Sequence, residues 1–272
     1  MDNKLTAYLE RIGYQGEVRA DLETLNALHR AHLFNIPYEN LEIHRGGYIS
    51  IHEDDAFEKI VVNRRGGWCY EMNGLLAWAL RQIGFEVTLL GSTVNRQPTG
   101  KTIEGNHLIL RVRLDKPYLA DVGFGNGILE PIPLETGTYR QGFLDYKLRQ
   151  DGERWWFENH IYGGGVGFDF TLDAHQLEDF AAQSHELQTW PESGFVRTTV
   201  CQRFNAQGYV TLRGAVLSTI TQDGVRERVI ENAPDYQQTL ADIFDLHLPN
   251  TDALWEKVWA RHEAWLKEQN RA

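Results

Sequence analysis

Arg64-Arg65-Gly66-Gly67-Trp68-Cys69-Tyr70-Glu71-Met72-Asn73 is the stretch from which both fold and chemistry are read. The Gly66-Gly67 pair lets backbone approach another group closely. Cys69 then opens a helix whose apolar positions are Met72, Leu75, Leu76, Ala79, Leu80 and Ile83, with Gly84 as its stop. A thiolate, rather than a thiol, is the nucleophile, and the positive end of a helix together with nearby arginines favours it. The alternative is an inert core cysteine packed at a helix start.

Upstream of this stretch the chain reads as helical. Leu5, Tyr8, Leu9 and Ile12 follow helix spacing, and Asp21 is a good N-cap for a second helix carrying Leu22, Leu25 and Leu28. Downstream of Gly84 the pattern changes to strands: Glu86 to Val94, His107 to Leu114, Tyr118 to Val122, Tyr146 to Gln150 and Arg154 to Glu158. These predict a β-rich module from about residue 86 to 170, a small barrel or curled sheet. Helical spacing returns at Asp173 to Glu186. The last third is mixed: Asp223-Gly224 predicts a type I′ hairpin between Val216 to Thr221 and Val225 to Ile230. Pro234 suits the first turn of a helix carrying Leu240, Ile243 and Phe244. Trp255, Val258, Trp259, His262 and Leu266 form a stripe on a final one.

Composition narrows the function classes. The 272 residues are 42% hydrophobic and 24% charged, a globular balance long enough to bury a sizeable core. With 27 Lys+Arg against 38 Asp+Glu the net charge is −11, which argues against nucleic acid as a general partner. No apolar run reaches membrane-spanning length, and the N-terminus has no signal-peptide pattern. Cys69 and Cys201 are the only cysteines, so no disulfide framework and a cytoplasmic location are expected.

A thiol nucleophile needs a base, and ten histidines compete. His29 and His32 share a helix face, but no further ligand at suitable spacing completes a metal site, so no metal is expected. His44, His52, His160, His175, His185 and His247 have no supporting pattern, and His262 belongs to a packed stripe. His107 begins a strand in which Leu108, Leu110, Val112 and Leu114 share one face and His107 lies on the other. An ordinary solvent-facing position is the alternative there. Asp121 interrupts an apolar strand and needs a donor or a cation. If those two strands pair, Asp121 can meet His107, fix its tautomer and stabilise the imidazolium that holds a cysteine as thiolate. A turn-capping Asp is the alternative. Gly123, Gly125 and Gly127 are not followed by a helix, which disfavours a dinucleotide site and reads instead as backbone lying close to a ligand or to Asp121.

Phe34-Asn35-Ile36-Pro37-Tyr38-Glu39-Asn40-Leu41, Arg65 to Asn73, and Asp121-Val122-Gly123-Phe124-Gly125 together closely resemble the arylamine N-acetyltransferases. Order and spacing also match, with 107 − 69 = 38 and 121 − 107 = 14 residues between Cys69, His107 and Asp121. The strong match spans roughly residues 5 to 130.

The resemblance implies an α+β, multi-module fold in a papain-like arrangement. Residues 1–85 would form a helical bundle, 86–172 a β-barrel-like domain, 173–190 an inter-domain helix and 191–272 an α/β lid. It implies ping-pong acetyl transfer from acetyl-CoA to an arylamine or arylhydrazine, with no tightly bound cofactor. Cys69 would carry the acetyl group, His107 would move the proton and Asp121 would orient His107. The backbone N–H of Cys69 is a candidate oxyanion donor. By motif position Tyr38, Val94 and Phe124 would line the acyl and aryl pocket, and Asn106 and Gly125 would contact CoA. Asn106 stands where the family often has Thr, Tyr38 where Phe is common, and Trp68 is bulkier or less polar than many relatives carry there. A homodimer stays open. An amide synthase or hydrolase on the same residues is the rival reading, and a silent binding module is another.

Overall fold

The computed structural model describes residues 3–96, 102–163 and 167–269. The N-terminal segment contains α1 (Asn3–Arg11), α2 (Leu22–Asn35), β1 (Tyr38–Glu39), α3 (Leu41–His44), α4 (Glu53–Phe57) and α5 (Cys69–Ile83). Asp21 caps α2 by accepting the Thr24 N–H at 2.9 Å. Every residue of α5 from Cys69 to Leu80 is buried, so this helix runs through the core rather than along its surface. Gly84 ends it in a left-handed conformation, φ 108°, which a side chain would disfavour.

Eight antiparallel strands follow: β2 (Glu86–Val94), β3 (His107–Arg113), β4 (Pro117–Ala120), β5 (Ile132–Pro133), β6 (Gly137–Gln141), β7 (Leu144–Asp151), β8 (Arg154–Glu158) and β9 (Gly167–His175). Their order is β5-β4-β3-β2-β9-β8-β7-β6. The two edge strands approach each other. From β6, the Gln141 carboxamide accepts from the N–H groups of Leu129 and Glu130 and donates to the Glu130 carbonyl, just before β5. The sheet is therefore nearly closed and barrel-like. Helix α5 packs against β2 and β3.

The chain then forms a short 3-10 turn (Leu177–Phe180), α6 (Ala181–Thr189), α7 (Gly194–Arg197), β10 (Val200–Asn205), β11 (Gly208–Arg213), β12 (Val216–Thr221), β13 (Gly224–Val229), α8 (Ala233–Phe244) and α9 (Thr251–Gln269). A second sheet has the order β1-β10-β11-β12-β13. Its first strand comes from the helical segment, with Tyr38 opposite Gln202 and Glu39 opposite Cys201. Two residues of β1 thus stitch the N-terminal segment to the C-terminal sheet. No described helix is long and apolar enough to cross a membrane.

Three local expectations change. Asp173 to His175 extend β9, and helix begins only with the turn at Leu177. Cross-strand pairing of Leu89 with His175 and Leu90 with Ala174 outweighs the local helical spacing. The strand expected over Tyr118 to Val122 stops at Ala120, leaving Asp121 at its end. The β12–β13 loop is Gln222-Asp223, with positive φ at Gly224 and not at Asp223, so it is not type I′.

Candidate functional site

The start of α5 is held in place by the segment before it. Gly67 N–H bonds the Pro37 carbonyl, and Glu39 N–H bonds the Gly67 carbonyl. A Cβ at Gly66 would lie 2.2 Å from the Pro37 oxygen, so only glycine permits this approach. At the helix start, Glu71 Oε2 accepts the Trp68 N–H at 3.1 Å, and both Glu71 oxygens take Lys59 Nζ at 2.8 Å. Cys69 is the first helical residue, so its own N–H has no partner within the helix.

The arginines of the motif do not face the thiol, contrary to the reading from sequence. Arg65 bonds Glu39 at 2.9 Å and Glu42 at 3.1 Å, and Arg64 bonds Asp245 at 3.0 Å. Glu39 is fully buried, and a buried carboxylate draws the nearest cation to itself. Positive charge beside Cys69 comes instead from His107 and the helix start.

His107 at the start of β3 is buried, not solvent-facing. Its ring packs 5.3 Å from both Phe124 and Phe168, centroid to centroid, so both faces of β3 are covered here. Its Nε2 lies 2.7 Å from Asp121 Oδ2, and the Cys69 side chain is within hydrogen-bonding reach of the same imidazole. Burial disfavours the charged ring. The Asp121 carboxylate and the Cys69 sulfur outweigh burial and raise its pKa to about 10. The strands bring the pair together through register: β3 and β4 are antiparallel, with Leu110 opposite Ala120.

Asp121 is in turn fixed by Asn73 and His29, which sequence reasoning passed over, and by the Gly123 backbone, which it expected close to Asp121. Asn73 Nδ2 donates to Asp121 Oδ1 at 2.8 Å and to the Leu108 carbonyl at 2.6 Å, while Asn73 Oδ1 accepts the Val122 N–H. Asn73 lies one helical turn beyond Cys69, and that i, i+4 spacing was the available signal. Gly123 N–H also donates to Asp121 Oδ1 at 2.8 Å. The Asp121 N–H bonds His29 Nε2 at 3.1 Å, and His29 Nδ1 bonds the Leu129 carbonyl. Burial pushes the His29 pKa down to about 4, which keeps the ring neutral as an acceptor and not a charge carrier. His32 pairs with the Tyr8 hydroxyl at 2.9 Å and serves packing. Among the described residues no cluster of three His, Cys, Asp or Glu side chains converges on a metal-sized site.

Cys69 and His107 open onto a cavity of about 290 Å³. Tyr38, Val94, Asn106 and Phe124 line it, as do Asn126, Phe195, Gln202 and Arg213, which the sequence did not single out. Asn106 clamps the Val94 backbone, accepting its N–H at 2.7 Å. Burial, with the negative charges of Cys69 and Asp121 nearby, keeps the Tyr38 hydroxyl protonated far above its usual range. Gly125 is not in the cavity wall. It sits at φ 80°, where a Cβ would meet Gln202 Oε1 at 1.8 Å. The second cysteine, Cys201, is buried elsewhere, and burial raises its thiol pKa well above the ordinary value.

An N-acetyltransferase family model matches residues 21–253. Arylamine N-acetyltransferase 2 of Mesocricetus auratus is 34% identical over 238 residues, 79% of this chain and 82% of the relative. The pineal gland isozyme of arylamine N-acetyltransferase from Gallus gallus is 32% identical over 89% of this chain and 93% of its own. Among solved structures, the Salmonella typhimurium arylamine N-acetyltransferase superposes with a TM-score of 0.88 at 28% identity, covering 96% of this chain and 99% of that one. The Mycobacterium marinum enzyme in complex with CoA gives 0.86 at 28% identity, covering 93% and 98%. On its sequence, its architecture and these likenesses, the chain belongs to the arylamine N-acetyltransferase family.

Proposed function

We propose that the protein transfers acetyl groups from acetyl-CoA to arylamines and arylhydrazines in two half-reactions through Cys69. In the first, the Cys69 thiolate attacks the thioester carbonyl carbon, and the backbone N–H of Cys69 stabilises the oxyanion. The bond to CoA sulfur breaks, and CoA leaves as a thiol after taking the His107 proton. In the second, the amine nitrogen attacks acetyl-Cys69. His107 accepts the amine proton, and the Cys69 thiolate leaves, which restores the ion pair. Asp121 holds the imidazole throughout and stabilises its charged form. The bond from His107 to Asp121, beside Cys69 at the head of α5, carries this reading.

Tyr38, Val94 and Phe124, with Leu187, Phe195 and Val200, line the apolar and aromatic part of the wall against which an acyl or aryl group would pack. Asn106 remains a candidate CoA contact. Gly125 would act by letting the chain pass Gln202 rather than by touching CoA. The helical segment, barrel-like sheet, α6 linker and C-terminal α/β segment would act as modules meeting at the cavity. Two unpaired buried cysteines support a cytoplasmic location.

Intact-mass measurement after mixing with acetyl-CoA tests the reading. One acetyl group on Cys69, discharged by an added arylamine and absent in Cys69→Ala, is the expected result. An adduct on Cys201, or none, would overturn it.

A further inference from the structure

Tyr38 is held from two sides. Its backbone in β1 bridges Gly67, just ahead of Trp68 and Cys69, and pairs across the sheet with Gln202 of β10. A Cβ at Gly125 would lie 3.4 Å from Tyr38 Cδ1, so the ring packs against the backbone of that loop. Side chains alternate along a strand, and Glu39 accordingly turns the other way to Arg65 while Tyr38 lines the cavity with Cys69 and His107.

Among the described residues the Tyr38 hydroxyl meets no hydrogen-bond partner, and it is not sealed in the core, so it is free to donate into the cavity. The neutral polar side chains around it are engaged. Asn106 donates to the Val94 carbonyl at 3.3 Å and accepts the Val94 N–H at 2.7 Å. Gln202 Nε2 donates to Thr211 Oγ1 at 3.3 Å. Asn126 accepts from Asn159 Nδ2 at 3.3 Å and is hydrogen-bonded to the Tyr209 hydroxyl, and Asn95 has a partner of its own. The Val122 and Gly123 N–H groups are committed to Asn73 and Asp121. Arg213 is exposed and shared with a neighbouring cleft against α9.

The hydroxyl also has the right protonation state for a donor. Burial first, and then the charges of Cys69, Asp121 and Glu71, raise its pKa far above the ordinary phenol value, so it keeps its proton and cannot act as a base. Cys69 heads those charges, which places the hydroxyl close to where a thiolate would begin its attack. Attack at a carbonyl moves that negative charge onto an oxygen one carbon removed from sulfur. A fixed, protonated donor aimed at this place stabilises the charge only as it develops.

We propose that the Tyr38 hydroxyl is a second oxyanion donor for acyl transfer at Cys69, alongside the Cys69 backbone N–H. As the Cys69 sulfur bonds the acyl carbon, the carbonyl π pair moves onto oxygen, and both donors hydrogen-bond that oxygen. When the pair returns, the bond to the leaving group breaks, and Tyr38 has neither gained nor lost a proton. Amine attack on acetyl-Cys69 passes through the same oxyanion, so both half-reactions use it. This rests on the acetyl-cysteine reading proposed above. Tyr38 stands where Phe is common in the family, so the hydroxyl strengthens a reaction that proceeds without it, and its loss slows turnover rather than abolishing it.

Tyr38→Phe keeps the ring and its packing and removes only the hydroxyl. Stopped-flow acylation by acetyl-CoA and by p-nitrophenyl acetate, and discharge of acetyl-Cys69 by an arylamine, are each expected to slow by at least about tenfold, with KM for acetyl-CoA changing less than about twofold. Alkylation of Cys69 by iodoacetamide, a displacement at saturated carbon with no oxyanion, should change less than about twofold and reports that the thiol and the fold are intact. Unchanged acylation in Tyr38→Phe would overturn the proposal. Acylation and alkylation that fall together would also overturn it, because the hydroxyl would then act on the thiol or the packing. A loss confined to acetyl-CoA would make Tyr38 a donor-binding group and overturn it as well. Wild-type enzyme acylated by p-nitrophenyl acetate but not by acetyl-CoA would overturn the transferase reading alone, since the ester still decides the role of Tyr38.

Discussion

The Asn73 carboxamide, one turn along α5 from Cys69, donates to Asp121 Oδ1 at 2.8 Å while Asp121 Oδ2 holds His107 at 2.7 Å. The helix that carries Cys69, the proposed nucleophile, therefore also orients the carboxylate behind His107, the proposed base. Both oxygens of a buried acid are used, one toward Asn73 and one toward His107.

Asp121→Asn removes the charge but keeps the size. The imidazole loses its anionic acceptor, and the acetyl-enzyme step is expected to slow by at least ~100-fold. Stopped-flow acylation alongside a thermal melt checks this. A folded variant that acylates at the wild-type rate would reduce Asp121 to a turn cap. Asp121→Glu, which retains charge but displaces it, should recover only part of the loss.

Asn73→Ala leaves the Leu108 carbonyl and the Val122 N–H without their side-chain partner and weakens the hold on Asp121. Stability should fall by roughly 2–3 kcal/mol and acylation by about tenfold or more. Asn73→Asp should be worse for activity, because a second carboxylate would then face Asp121. Equal activity in the two variants would mean that Asn73 merely fills space.

His107 gives a pH signature. Its folded pKa of about 10 lies above the 6.5 of a free imidazole. The ion pair therefore contributes fully to stability below about pH 6.5 and loses that contribution as pH rises toward about 10. The Tm difference between wild type and His107→Gln should be largest in the acidic range and shrink across this window. A difference that grows with pH would place the imidazole in the neutral form.

Gly123 is a steric test of the same assembly. A methyl there would lie 2.6 Å from the Cys69 Cα and 2.6 Å from Asn73 Nδ2, both parts of a buried helix that cannot swing aside. Gly123→Ala should cost roughly 1–3 kcal/mol and reduce Cys69 alkylation by iodoacetamide by at least about tenfold. Unaltered alkylation would show that the loop yields without moving the thiol.

Local signals were legible in the sequence because they act over a few residues. Gly66-Gly67 before Cys69, the apolar spacing of α5 and its stop at Gly84 each depend on backbone geometry within a turn or two. The strands holding His107 and preceding Asp121 could be read from alternation, although covered faces at both sides of β3 hid that His107 is buried. Cross-chain effects were not legible. Local spacing put helix at Asp173 to His175 until pairing with β2 claimed those residues.

The sequence by itself determined which residues could do chemistry: a cysteine at a helix start, a histidine on one strand, an aspartate just after the next, and the family to which these motifs point. Only the tertiary structure decided what surrounds them. It turned Arg64 and Arg65 away toward Asp245, Glu39 and Glu42, and it set Asn73, Gly123 and His29 around Asp121. It also carried Arg213 and the 257, 261, 265 face of α9 to one cleft beside the cavity that Cys69 and His107 line. The physical reason is range. Helix starts, stops and alternation are fixed by neighbours in the chain. The partner of a buried charge is whichever group folding brings within about 3 Å, and for the Asp121 carboxylate Asn73 comes from 48 residues away.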